Sequence, residues 1–221
     1  MHDDIPIAGD SGLWVGEPRP GAHAGSPALF LDRDGVLVEE VHFLKRPADV
    51  KLTSDAAEAI AGLNERAIPV VLVSNQSGIA RGILSWDDFA AVQSEIARQL
   101  EESNAHLDLV LACGYHKDGA PPLNDVDHPW RKPNIGMLDH ARSVLDIDVS
   151  RSMIVGDRAS DISAGSNAGL SFGNLVRTGY GNGEGSGLTD ELKKQWSSGG
   201  MKFHRSATMA GAIDWWLDQL A

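Results

Sequence analysis

The sequence predicts an α/β domain built on a doubly wound parallel sheet, and three observations predict it. Short continuous apolar runs, such as Ala28-Leu29-Phe30-Leu31 and Val70-Val71-Leu72-Val73, have the length and β-branching of strands buried on both faces. Segments with apolar residues at helical spacing alternate with these runs. Most runs stop in small or acidic polar residues, as expected where the carboxyl ends of parallel strands open onto a ligand crevice.

Residues 1 to 27 carry scattered Pro and Gly without an apolar period. They are expected to form an irregular arm, with Trp14 its candidate for docking, and residues 28 to 221 to form the domain. The first strand ends at Asp32. Side chains alternate along an extended segment, so Asp32 and Asp34 are expected to face the crevice together and Arg33 to face elsewhere. Gly35 allows a sharp exit. The loop from Val36 to Val50 leaves the same end; its Glu39, Glu40, Lys45 and Arg46 read most simply as solvated.

Ser54 to Arg66 has Ala56, Ala59, Ile60 and Leu63 on one helical face. The next strand, from Ile68 to Val73, ends in Ser74-Asn75-Gln76-Ser77-Gly78. Ser85-Trp86-Asp87-Asp88 resembles a capping box opening a helix to about Glu102. Leu107 to Ala112 is a third strand, followed by Cys113-Gly114-Tyr115-His116 and a Pro-rich loop to Trp130. After Arg131-Lys132-Pro133, a helix over 134–145 would turn Ile135, Leu138 and Val144 inward. Ser152 to Val155 is a fourth strand, ending in Gly156-Asp157-Arg158-Ala159-Ser160-Asp161 before a helix. Asn174 to Thr178 is a fifth, and the glycine-rich 179–187 reads as a flexible loop. Ser206 to Leu220 reads as an amphipathic helix burying Met209, Ile213, Trp216 and Leu217. Its tryptophans are core or oligomer contacts, not a cofactor box.

At 221 residues the chain fits one domain of ordinary size, or one domain with a small appendage, and its net charge of −12 argues against a nucleic-acid surface. The single cysteine, Cys113, excludes an internal disulfide and suits a reducing compartment. No secretory pattern or membrane-length apolar run is visible, so the cytoplasm is the expected location. The oligomeric state is left unknown, with the monomer as the working expectation.

Loops at one edge of a parallel sheet converge, so the polar strand ends can meet: Asp32 with Asp34, Ser74 with Asn75, Lys132, and Asp157 with Asp161. Hard oxygen donors favour Mg²⁺ over zinc there. This inventory suits phosphoryl transfer, where charge on the phosphate must be neutralised before attack. Asp32 is then the nucleophile, giving an aspartyl-phosphate, and Asp34 the acid/base. Lys132 and Ser74 serve the phosphoryl oxygens. Mg²⁺ falls between Asp32, the Asp34 backbone carbonyl and Asp157, with Asp161 orienting metal-bound water. Taken alone, Asp161 would more often serve the N-terminal end of its helix, and Asp-x-Asp would be a turn.

Asp-Arg-Asp-Gly-Val, Val-Ser-Asn-Gln-Ser-Gly-Ile-Ala-Arg-Gly, Arg-Lys-Pro and Val-Gly-Asp-Arg-Ala-Ser-Asp resemble the four motifs of the haloacid dehalogenase phosphatases. The match, from about Ala28 to Thr178, is to the branch holding D-glycero-D-manno-heptose 1,7-bisphosphate phosphatase and histidinol-phosphate phosphatase. The resemblance implies a Rossmann-like fold of that type with no large cap domain. It implies Asp32 as nucleophile, Asp34 as acid/base, and Mg²⁺ on Asp32, Asp34 and Asp157. It also implies phosphate contacts from Ser74, Asn75 and Lys132, with Arg131 and Arg158 near the substrate. The substrate would be a small phosphorylated metabolite, first a heptose 1,7-bisphosphate-like sugar phosphate, with histidinol phosphate as the alternative. Lys45, Arg46, Arg81 and Arg131 are candidates for a second phosphate, and Glu39 or Glu40 for an amine. Members of the branch often carry a structural zinc. Here Cys113, His116 and His128 are a partial set, and Trp130 falls where a further ligand would be, so the incomplete shell weighs against zinc. A different class, a phospho-acceptor signalling domain, would share the aspartate, Mg²⁺ and lysine but have no need of Asp34.

Overall fold

A computed structural model describes residues 11–21 and 24–221. In chain order the elements are β1 (Leu13–Val15), β2 (Leu29–Leu31), α1 (Ala56–Asn64), β3 (Val70–Asn75), α2 (Ser77–Ala80), α3 (Trp86–Glu101) and β4 (Leu109–Cys113). Then follow α4 (Gly136–Leu145), β5 (Met153–Gly156), α5 (Ala159–Asn167), β6 (Phe172–Val176), α6 (Asp190–Ser198), β7 (Lys202–Ser206) and α7 (Met209–Leu220).

Alternation along the central strands makes the layers. Leu29 and Leu31 of β2, Val70 and Leu72 of β3, and Met153 and Val155 of β5 face one apolar cluster. It is closed by Ile60 and Leu63 of α1, Val92 and Ile96 of α3, and Ile213 and Trp216 of α7. The intervening Phe30, Val71, Val73 and Ile154 face the other, closed by Met137 and Leu138 of α4, Ile162 of α5 and Trp196 of α6. A sheet covered on both faces has no solvated side to carry polar residues, which is why its strands read as unbroken apolar runs.

The described strands form one sheet in the order β1-β4-β3-β2-β5-β6-β7. All neighbours are parallel except β1, which pairs antiparallel with β4. From β2 the chain winds outward through β3 to β4, then crosses back to β5 on the other side of β2. That reversal opens a crevice at the carboxyl ends of β2 and β5. The expected doubly wound, three-layer sheet is therefore present. Segments 32–55 and 114–135, which overlie its carboxyl edge, hold one 3-10 turn and isolated bridges, and no cap domain among the described residues.

Several elements depart from expectation. Residues 1 to 27 are not irregular throughout, because Leu13–Val15 add a strand to the sheet edge; residues 1–10 and 22–23 lie outside those described. Trp14 docks, 4 % exposed, against Trp86 and Phe89. The polar α6 and β7 went unexpected: α6 buries only Trp196, and β7, at the other edge, alternates exposed and half-buried positions up to the buried Ser206. In α4, Met137, Leu138, Ala141 and Leu145 face inward while Val144 is exposed. No helix among the described residues is long and apolar enough to cross a membrane.

Candidate active site

Asp32 leaves β2 directly beside β5, its N–H donating to the Val155 carbonyl at 3.0 Å. Two residues after Val155, Asp157 leaves β5 at the same level. One turn into α5, Asp161 joins them, and carboxylate oxygens of Asp32, Asp157 and Asp161 all lie within 4.8 Å of one another. Lys132, from the loop before α4, enters this group from the side. Its Nζ donates to Asp32 Oδ1 at 2.9 Å and to the Val73 carbonyl at 2.6 Å, and pairs with Asp161 Oδ1 at 2.8 Å. Burial alone would depress the Lys132 ammonium, but the Asp161 and Asp32 carboxylates outweigh it and hold its pKa above the usual lysine range.

Gly35 has a φ of +79°, and a Cβ there would meet Asp157 Oδ2 at 2.5 Å. The turn after Asp34 thus presses its backbone against Asp157, which only glycine permits. Asp157 Oδ2 accepts the Tyr180 N–H at 2.8 Å, whereas buried Oδ1 has no hydrogen-bond partner. Burial, then the charges of Asp32 and Asp161, push the Asp157 carboxyl up to about 8. A buried, unsatisfied carboxylate oxygen beside two further acids is costly unless a cation joins it, so the residues present fit a hard divalent ion such as Mg²⁺. Asp161 is also raised, chiefly by burial, and both its oxygens are engaged: Oδ2 accepts the Arg158 N–H at 3.0 Å and caps α5. The helix-end role of Asp161 is therefore visible beside its place among the acids.

The other strand-end residues hold one another. Asn75 donates from Nδ2 to the Lys132 carbonyl and accepts the Lys132 N–H on Oδ1, both at 3.0 Å, so its amide fixes the lysine's backbone. Ser74 is buried, and its hydroxyl accepts from Gln76 Nε2 at 2.9 Å. Asp34 is not in the acid group. Arg33 donates to Asp34 Oδ1 from Nε at 3.1 Å and to Oδ2 from Nη2 at 3.0 Å, and Gln76 Nε2 adds a bond to Oδ2 at 3.0 Å. Arg33, expected to face elsewhere, lies beneath Asp34 with 1 % exposure. Period-two reasoning misplaced it because the strand ends at Leu31 and the chain is already turning.

These groups open into a cavity of about 410 Å³, whose walls include Asp32, Asp34, Asn75, Gln76, Lys132 and Asp157. Arg81, Arg131 and Arg158 share the wall with Glu40, Phe43 and Tyr180. Arg131 is tied to the Tyr115 carbonyl at 2.8 Å, and burial, reinforced by the charges of Arg81 and Arg158, lowers its pKa. Arg158 lies 3.8 Å over the Tyr180 ring, an arrangement that steadies the guanidinium. Glu40, read as solvated, is instead half-buried in this wall; burial and then Asp34 and Asp32 raise its pKa. Lys45 and Arg46 do not line the cavity: both are exposed, and Arg46 pairs with Asp49 at 2.6 Å. Gln76 and Tyr180 were missed because nothing in the sequence says which loop residues fold back over a strand end.

Cys113 is buried at the end of β4, with Sγ 4.0 Å from His128 Nδ1. His128 stacks on Tyr115, and His116 Nδ1 accepts the Asp118 N–H at 3.1 Å. Among the described residues, the acid trio is the one set of three acid, histidine or cysteine ligands close enough to share an ion. Cys113, His116 and His128 form no such set.

Comparison with known proteins agrees with this geometry. A family model described as HAD-hydrolase-like matches residues 129–192. A D-glycero-beta-D-manno-heptose-1,7-bisphosphate 7-phosphatase of Mesorhizobium japonicum is 49% identical over 170 residues, 76% of this chain and 77% of that protein. A D-glycero-D-manno-heptose-1,7-bisphosphate 7-phosphatase of Thermosynechococcus vestitus is 38% identical over 202 residues, 88% of this chain and 97% of that protein. Among solved structures, D,D-heptose 1,7-bisphosphate phosphatase from B. bronchiseptica, complexed with magnesium and phosphate, superposes with a TM-score of 0.70 at 28% identity, covering 87% of this chain and 99% of that one. With relatives this similar over most of their length, the chain belongs to the haloacid dehalogenase-like phosphatases, in the branch of the heptose-1,7-bisphosphate 7-phosphatases.

Proposed function

We propose that this phosphatase hydrolyses a heptose 1,7-bisphosphate-like sugar phosphate in the cytoplasm, as part of carbohydrate metabolism, through an aspartyl-phosphate on Asp32. The observation that carries the reading is the acid trio, with its unsatisfied Asp157 oxygen, closed by the buried Lys132. Asp32, Asp157 and the Asp34 backbone carbonyl would hold Mg²⁺, which supplies the positive charge that lets an anionic nucleophile approach a phosphate ester. Lys132 occupies Asp32 Oδ1, which leaves Oδ2 to attack. As the Oδ2–P bond forms and the bond from phosphorus to the sugar oxygen breaks, Asp34 passes its proton to the departing alkoxide. Asp34 then takes a proton from the water that attacks phosphorus, the P–Oδ2 bond breaks, and phosphate leaves with Asp32 restored. Ser74 accepts from Gln76 and so keeps its own proton to donate toward a phosphoryl oxygen.

Arg81, Arg131 and Arg158 give the cavity the positive wall that a second phosphate requires, and named relatives act on a bisphosphate. Glu40 is the group an amine would seek, which keeps histidinol phosphate as the competing substrate. Assaying both compounds at matched concentrations, beside p-nitrophenyl phosphate, tests the proposal. The expected result is continuous turnover, preference for the sugar bisphosphate, and loss of activity in chelator that Mg²⁺ restores. Preference for histidinol phosphate would overturn the substrate, and one slowly decaying equivalent of phosphoprotein would overturn hydrolysis in favour of signalling.

A further inference from the structure

Arg33 is fully buried, yet its Nη1 has no hydrogen-bond partner. A buried guanidinium left partly unsatisfied stabilises a fold less well than an apolar side chain of similar volume. The Arg33 backbone carbonyl accepts the Leu37 and Val38 N–H groups of the following turn, both at 3.0 Å, while the other contacts of its side chain stay within one cluster. They are the bidentate bond to Asp34, a 3.2 Å bond from Nη2 to Gln76 Oε1, and the face of Phe89 at 5.2 Å. Gln76, 4 % exposed, is oriented by the same arrangement: Oε1 accepts from Arg33, while Nε2 donates to Asp34 Oδ2 and to Ser74 Oγ. The two side chains close a ring around one carboxylate at the cavity wall.

We infer that Arg33 and Gln76 are positioning residues that set the Asp34 carboxyl so that Oδ1 is the oxygen exchanging a proton with the leaving group and with water. The inference deepens the phosphatase reading above and rests on it. A carboxylate offers about two acceptor directions per oxygen. Oδ2 receives two N–H donors, from Arg33 and Gln76, which fills it; Oδ1 receives one, from Arg33 Nε, and keeps a direction open. Proton delivery thus has a single outlet, and losing either partner frees the carboxyl to rotate away from it. The inventory of atoms is unchanged: the proton on Oδ1 goes to the alkoxide as the ester bond breaks, and Oδ1 regains one from water as the aspartyl-phosphate is hydrolysed.

The test separates positioning from mere support by varying the leaving group. An alkoxide needs a proton to depart, whereas p-nitrophenolate departs without one. In Arg33→Met and Gln76→Leu, kcat on the heptose bisphosphate, or on a simple alkyl phosphate, is expected to fall about 10²-fold or more, the scale of a lost general acid. On p-nitrophenyl phosphate it is expected to fall by a much smaller factor, with KM little changed for either ester. Arg33→Lys keeps the charge but cannot make the bidentate bond, so it is expected to show the same split if Arg33→Met fails to fold. Equal losses on both esters, or no loss on either, in the variants that fold would overturn the inference while leaving the phosphatase reading intact. Wild-type protein inert toward every ester would overturn that reading itself.

Discussion

Nζ of Lys132 sits 2.9 Å from Asp32 and 2.8 Å from Asp161, and this lysine is nearly inaccessible to water. Replacing it by methionine leaves two neighbouring carboxylates without their cation. Breaking a buried pair from one side costs about 3–5 kcal/mol, so Lys132→Met is expected to lose that much in urea denaturation carried out in chelator. Saturating Mg²⁺ is expected to recover part of the loss, since it supplies charge to the same acids. Asp32→Asn is expected to behave differently. It keeps an acceptor for Lys132 while removing the proposed nucleophile, so turnover is expected to fall by about 10³-fold or more with the urea midpoint nearly unchanged. A rate equal to wild type would show that the acid set is not catalytic. Asp32 and Asp157 were legible because each stands at a strand end, and Lys132 because Arg-Lys-Pro precedes a helix and chemistry demands its company. Arg33 and Gln76 were not, because their roles depend on side chains folding back across a turn, which spacing does not encode.

At the scale of the element, two junctions set the site. Gly156 ends β5, and a Cβ on it would overlap Asp161 on the first turn of α5. The overlap involves Asp161's own Cβ, so it is not relieved by rotating a flexible tip. Gly156→Ala is therefore expected to push α5 away, opening the contact between Lys132 and Asp161. The expected readout is lost activity together with a weakened Mg²⁺-induced rise in Tm. The second junction is β1, where Trp14 packs on Phe89 at 5.2 Å, and Phe89 in turn lies beneath Arg33. Truncating a buried tryptophan costs about 3–5 kcal/mol, the loss expected for Trp14→Ala by denaturant titration, with turnover reduced through Arg33. Strands buried on both faces were readable from their apolar runs. The three-residue β1 and the alternating β7 were not: Leu13–Val15 is apolar and largely buried but too short a run to read as a strand, and β7 lies at an edge where only part of its surface is covered.

Across the whole molecule, stability, pH and metal are linked through the acid cluster. The Asp157 carboxyl is raised to about 8 by burial and by Asp32 and Asp161, against 3.8 for the same group in an unstructured chain. Between those two values the folded protein holds a proton there that the unfolded chain has released. Stability changes with pH in proportion to protons bound by the unfolded state minus those bound by the native state, a negative difference here. The metal-free protein is therefore expected to lose stability as pH rises from about 4 to about 8, and Asp161, raised in the same direction, adds to the trend. Mg²⁺ is expected to reverse the logic, because it would bind the deprotonated acids and only in the folded state. At about a hundred times its Kd it adds about 2.7 kcal/mol, which for a chain of this size is a rise in Tm of roughly 5–10 °C. That rise should be largest near pH 8 and shrink toward pH 5, where protons compete for the acids. Asp157→Asn cannot titrate and loses a charged ligand, so it is expected to flatten the metal-free pH dependence and to abolish most of the Mg²⁺ response. Melting wild type and variant at pH 5 and pH 8, in chelator and in Mg²⁺, measures both effects. Identical pH dependence in the two proteins would remove Asp157 from the linkage. An unchanged Mg²⁺ shift in the variant would place the ion elsewhere, because a cation held by this cluster cannot be indifferent to the carboxylate whose buried oxygen has no other partner.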